Sequence, residues 1–196
     1  MRKLLAFLSP LLAAATGCGD CTPVEPTADE RAWVGAYQPG QQLTFRSNRG
    51  ATNVLTMEAI KEMRSNQDCN KLESGPYQPL RLTLILSSAT NYGGEQGPSF
   101  TLQLDKTTPE REATLLFNLA GLLGNKSDVP GGKVFTLLPA PVTLAGGRSY
   151  PNAYAIRNGQ NAIYLRGSQL RAAYWDQRAG LLRYELETGE VFDLAN

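Results

Sequence analysis

The chain contains no histidine. That removes Ser-His-Asp and Cys-His catalysis, imidazole metal ligation and the usual proton shuttle near neutral pH. Cysteine is scarce: three in 196 residues cannot build a four-thiolate zinc site once one is spent elsewhere. No long apolar run is present either. The longest, Leu4 to Ala15, is broken by Ser9 and Pro10 and falls short of the roughly 20 residues that span a bilayer as a helix. Charge is balanced, with 19 basic against 18 acidic residues, so no nucleic-acid partner is expected. No Gly-x-x-x-x-Gly-Lys-Ser/Thr loop precedes Asn125-Lys126-Ser127-Asp128, and that tetrad reads as a turn. No Asp-x-Asp-x-Asp spacing marks a calcium loop. The expectation is a protein that is not an enzyme and carries no metal or cofactor.

What is there begins at the N-terminus. Arg2 and Lys3, the short apolar run, and the small residues Ala15, Thr16 and Gly17 make residues 1–17 a secretory signal peptide. The tetrad Ala15-Thr16-Gly17-Cys18 resembles the lipobox of bacterial lipoproteins, with Ala15 where that family usually places leucine. The resemblance implies that Cys18 is acylated, with palmitate among its chains, and becomes the first mature residue. It implies a cell-envelope protein held on a membrane, the outer membrane being the expected one, by chains numerous enough to make the anchor stable. Cleavage without lipid is the other reading.

If Cys18 carries lipid, Cys21 and Cys69 remain as a pair, and an oxidising compartment permits a disulfide between them. It would close a loop of about 48 residues, worth on the order of 3–4 kcal/mol in the chain-entropy model. Two unpaired thiols are the alternative. Residues 18–32 are polar, contain Pro23 and Pro26, show no apolar period and read as a flexible tether. Residues 33–196 then form a single β domain.

Within it, Gln41 to Ser47 alternates, with Leu43 and Phe45 on one face. Leu80, Leu82, Leu84 and Leu86 alternate with Arg81, Thr83 and Ile85, and Phe100, Leu102 and Leu104 repeat the pattern. Thr52 to Met63 fits neither helix nor strand period cleanly. Residues 107–124 admit two readings. Thr108-Pro109 and the leucines from Leu115 to Leu123 suit a helix, while the β neighbours favour a strand over Glu112 to Leu119, which is the preferred reading. The C-terminal third predicts short strands at 134–138, 150–156, 161–166, 169–175, 181–187 and 190–194, separated by turns such as Asn158-Gly159 and Thr188-Gly189. Connections this tight leave no room for crossover helices. The fold class is therefore mainly all-β: an antiparallel meander forming a sandwich, barrel or half-barrel, with at most one short helix.

The segments Gly147 to Tyr154, Ala162 to Leu165 and Ala173 to Glu185 resemble the closing hairpins of small uncharacterised lipoproteins of Gram-negative bacteria. The resemblance implies a late strand, a turn at Arg178-Ala179-Gly180 and a strand completing the sheet. It brings no chemistry with it.

Two features bear on function. Glu110 with Glu112, and Glu185 with Glu187, share a face if they lie on strands, as a carboxylate hydrolase would need; a solvated polar face is the simpler reading. Tyr150, Tyr154, Tyr164, Tyr174 and Trp175 either cover a core or form a binding surface for an apolar or sugar ligand. Three functions follow in order. The first is a non-catalytic, membrane-anchored lipoprotein that binds or scaffolds other envelope proteins. The second is a carrier of a lipid or other apolar ligand in a β-barrel cavity. The third is a histidine-free carboxylate hydrolase.

Overall fold

The computed structural model describes residues 20–126 and 137–195. The expected strand over 134–138 therefore lies largely outside the described residues, as do the signal peptide and Cys18.

The body is built from a short helix, α1 (Ala28–Ala32), single helical turns at Lys71–Ser74 and Gly94–Gln96, and a curled antiparallel sheet. Its principal strands are β1 (Gln42–Ser47), β2 (Thr52–Met57), β3 (Lys61–Arg64), β4 (Leu80–Ser88), β5 (Ser99–Lys106) and β6 (Thr114–Leu119). They continue as β7 (Leu122–Lys126), β8 (Tyr154–Arg157), β9 (Leu170–Asp176), β10 (Gly180–Leu186) and β11 (Val191–Leu194). The spatial order is β8-β9-β10-β11-β1-β2-β4-β5-β6-β7. β2 and β3 pair with successive stretches of the same edge of β4, so the chain kinks between them.

The sheet curls into a half-barrel, and a short segment stitches its two ends. The Leu137 N–H donates to the Asn125 carbonyl at 3.1 Å beside β7. The next two residues, Leu138 and Pro139, pair with Ala155 and Tyr154 of β8. On the other side, Ile163–Tyr164 pairs with Leu123 and Leu122. This curling protects edges that an open sheet would expose.

Period-2 alternation sets the core. Leu80, Leu82, Leu84 and Leu86 point inward with Phe100, Leu102, Leu104, Leu115, Phe117 and Leu119. The 107–124 segment is thus strand and hairpin. Leu115 and Leu119 are buried while Leu116 is exposed, which a single apolar helix face would not give. An aromatic cluster fills the centre. Tyr184 stacks on Phe192 at 4.8 Å between centroids and meets Phe45, Phe100 and Tyr92 within 6 Å. Each such buried ring contributes roughly 1.5–3 kcal/mol.

Residues 21–32, read from the sequence as tether, belong to the body. Val24 is buried, Thr22–Pro23 pairs in parallel with Tyr77–Gln78, and α1 carries a capping box between Thr27 and Glu30. Trp33 and Val34 follow the helix into the core. The prolines and acidic residues mimic a solvated spacer. The anchoring comes instead from Val24, Trp33 and a cysteine, which carry no periodic signal.

Candidate functional site

The N-terminal corner is the first candidate. Cys21 and Cys69 form a disulfide with Cα atoms 5.2 Å apart. Asn66 organises the loop that presents Cys69. Its side-chain amide donates to the carbonyls of Gly75 at 3.0 Å and Tyr77 at 2.8 Å, and its Oδ1 accepts from the Asn70 N–H at 2.8 Å. Asn66 and Cys69 both sit in the left-handed region, with φ 55° and 54°. Asparagine tolerates that region through local hydrogen bonding of this kind. On the facing segment, Thr22 N–H donates to Pro76 O and Val24 N–H to Gln78 O. Arg64 donates to the Val24 carbonyl at 3.0 Å and pairs, as Arg31 does, with the Glu25 carboxylate. Those two guanidiniums outweigh the small cost of burial and hold the Glu25 carboxyl below its usual range. The segment Cys21 to Glu25 is therefore held by a covalent bond at Cys21, a strand pairing at Thr22–Pro23 and an ionic network at Glu25.

The outer face of β8–β11 is the second candidate. The Tyr174 ring has Arg157 and Arg183 guanidiniums within 6 Å, at 5.6 and 5.8 Å from its centroid. Its hydroxyl accepts from Arg157 at 3.2 Å and donates to Glu185 at 3.1 Å. Glu185 in turn pairs with Arg171. Arg183 pairs with Asp193 and also donates to the Thr143 carbonyl at 3.0 Å, while Asp193 accepts from the Ala145 N–H at 2.7 Å. Each cation in this ladder meets an anion, an oxygen or a ring, so the array stiffens the sheet and presents charged side chains over the buried Tyr174 ring. Cross-strand register places these partners opposite one another, Tyr174 on Arg183 and Arg183 on Asp193.

The five aromatic candidates do not form one surface. Trp175 is fully buried against Phe117 at 5.5 Å, so it belongs to the core. A register shift between Tyr174 and Trp175 lets both adjacent rings be buried. Half-buried Tyr154 lies 5.5 Å from Trp33, and half-buried Tyr150 pairs through its backbone with Val142. The Tyr164 side chain is outside the described residues.

The glutamates do not converge either. Glu110 accepts from the Tyr77 hydroxyl at 3.2 Å, Glu112 faces Lys126, Glu185 serves the Tyr174 ladder, and Glu187 accepts from Asn158. Its own N–H and the Thr108 hydroxyl hold the Glu110 carboxyl below the usual range, opposite to the shift a general acid needs. Among the described residues no three His, Cys, Asp or Glu side chains gather as a metal site. The hollows found among them open onto the surface, such as one of about 420 Å³ over Thr101, Gln103, Leu116 and Asn118. Comparison with family models, curated proteins and solved structures finds no match for this chain.

The sequence reading missed Asn66, Arg157 and the Tyr174 ladder. Arg171, Arg183 and Glu185 did carry a signal, as charges on the wet face of alternating strands. Their partners are set by register, which spacing alone does not reveal.

Proposed function

We propose that the protein is exported, is anchored to an envelope membrane through acyl chains on Cys18, and works there as a rigid, non-catalytic binding or scaffolding module. The observation that carries this reading is the Cys21–Cys69 disulfide, which begins three residues after the lipobox-like cysteine. Disulfides persist in oxidising compartments outside the cytoplasm. A body filled by Phe45, Phe100, Phe117, Tyr184 and Phe192 supports a scaffold over a carrier. The dispersed glutamates support a non-catalytic role.

Detergent-phase partitioning of the wild-type protein and a Cys18→Ser variant tests the proposal. The wild type enters the detergent phase and the membrane fraction, and the variant does not. Equal recovery of both in the aqueous phase would contradict it.

A further inference from the structure

We infer that the corner carrying the disulfide, with Leu72 at its tip, rests in the headgroup region of the bilayer that holds the Cys18 acyl chains. The inference rests on the anchor proposed above and adds an orientation to it. Only Gly19 and Asp20 separate Cys18 from Cys21. Three backbone steps reach roughly 11 Å at full extension. A spacer over 18–32 would let the body swing freely; the disulfide and the Thr22–Pro23 pairing shorten the leash to those two residues.

The stretch that the leash holds close to the membrane exposes charged Glu62 and Asp68 together with three large apolar side chains. Leu72 stands three residues past Cys69, in the helical turn Lys71–Ser74, and is 99% exposed. The described residues expose six large hydrophobic side chains, and Ile60, Met63 and Leu72 all fall in the stretch that leads to and follows Cys69. A lone exposed leucine is ordinary. A fully exposed one beside the attachment point of an acyl anchor has a non-aqueous phase within reach. The exposed Lys61 and Lys71 lie within the stretch, interleaved with the carboxylates of Glu62, which pairs with Arg64, and Asp68; the two lysine stems are long enough to lie along the interface while their ammonium groups meet lipid phosphates. The loop over residues 89–98 lies at the other end of β4, roughly 26 Å along the strand, and is left in water.

The test uses the acylated protein in phosphatidylcholine–phosphatidylglycerol vesicles containing lipids brominated on their acyl chains. Leu72→Trp and Glu95→Trp are compared after subtraction of the unsubstituted protein, whose Trp33 and Trp175 are buried. Intact mass is recorded on each sample, and circular dichroism checks the fold. Acyl mass with at least twofold quenching and a blue shift for Leu72→Trp, and neither for Glu95→Trp, is the expected result. Acyl mass with no quenching at position 72 overturns the orientation and leaves the anchor standing. Absence of acyl mass overturns the anchor and the orientation with it.

Discussion

The Lys106 ammonium lies 2.9 Å from Glu30 Oε1, and the two side chains are only 4% and 16% exposed. The same carboxylate oxygen accepts from the Ala113 N–H at 2.7 Å, and Lys106 donates to the Arg111 carbonyl at 2.5 Å. The pair ties α1 to the end of β5 and keeps Trp33 seated below it. Removing one partner of such a buried pair strands the other charge, at a cost of about 3–5 kcal/mol. Glu30→Ala should lose that much in urea unfolding, and Glu30→Gln with Lys106→Met together should lose less than the sum of the two single changes. Simple additivity would show that the two side chains act independently.

The same pair gives a pH dependence. Burial alone would raise the Glu30 carboxyl, but Lys106 and the Thr27 and Ala113 N–H groups outweigh it and hold it below its ordinary value of 4.5. A carboxyl lowered in the folded state stabilises fully above that ordinary value, and the contribution fades as pH falls below it. Stability of the wild type should therefore drop more steeply than that of the Lys106→Met variant as pH falls below 4.5. Parallel curves would remove the pair from the acid limb.

The disulfide should act on the unfolded chain and on the N-terminal corner together. With a sequence separation of 48, replacing both cysteines by serine should lower stability by about 4 kcal/mol. Amide exchange at Thr22 and Val24, whose N–H groups bond Pro76 and Gln78, should accelerate more than at β4. Unchanged exchange there would mean that the strand pairing alone holds the corner.

Tyr37 closes the core against the β9–β10 turn. Its hydroxyl accepts from the Leu181 N–H at 2.6 Å, and a Cβ on Gly180, whose φ is +77°, would stand 2.0 Å from that oxygen. Tyr37→Phe should cost about 1–3 kcal/mol by stranding a buried N–H. Gly180→Ala should cost more in the wild type than in a Tyr37→Ala background, where only backbone strain of roughly 1–2 kcal/mol remains. Equal costs in both backgrounds would show that the turn relaxes away from the ring.

Inside the half-barrel, Asn53 donates to the Tyr184 hydroxyl at 2.9 Å and accepts from Ser88 at 3.1 Å. Asn53→Ala should cost about 1–3 kcal/mol, since it removes two buried hydrogen bonds, while Ser88 Oγ still accepts from the Thr90 N–H and the Tyr184 hydroxyl still meets Tyr92. Burial pushes the Tyr184 phenol well above its ordinary 10.0, outweighing the Asn53 bond. Its stabilising contribution is thus whole below pH 10.0 and is lost as pH rises beyond it. Spectroscopic titration should find Tyr184 protonated until the protein unfolds; ionisation of all eight tyrosines near pH 10 in the folded state would refute this.

The alternating leucines of β4 and β5 announced their strands because one face is dry and the other wet. The late hairpins were equally legible, as alternation around Thr188-Gly189 and Ala179-Gly180 fixes both face and turn. The short ladder segments Leu138–Pro139 and Ile163–Tyr164, which stitch the ends of the sheet, were not read to their true extent. Two paired residues carry no period, and their place is dictated by how far the whole sheet curls. The acidic, proline-containing stretch from Asp20 to Ala32 misled for the opposite reason. Its polarity is local, whereas Cys21, Val24 and Trp33 find partners 40 or more residues away. The Tyr174 ladder depends on register between four strands, and no window of sequence contains it.

The measurement that bears most directly on the account is the intact mass of the protein extracted gently from its native membrane. The account predicts a chain that starts at Cys18, carries acyl chains, and is lighter by two hydrogen atoms than its dithiol form. A chain that starts elsewhere without lipid, or one that takes up two thiol labels without prior reduction, would contradict it.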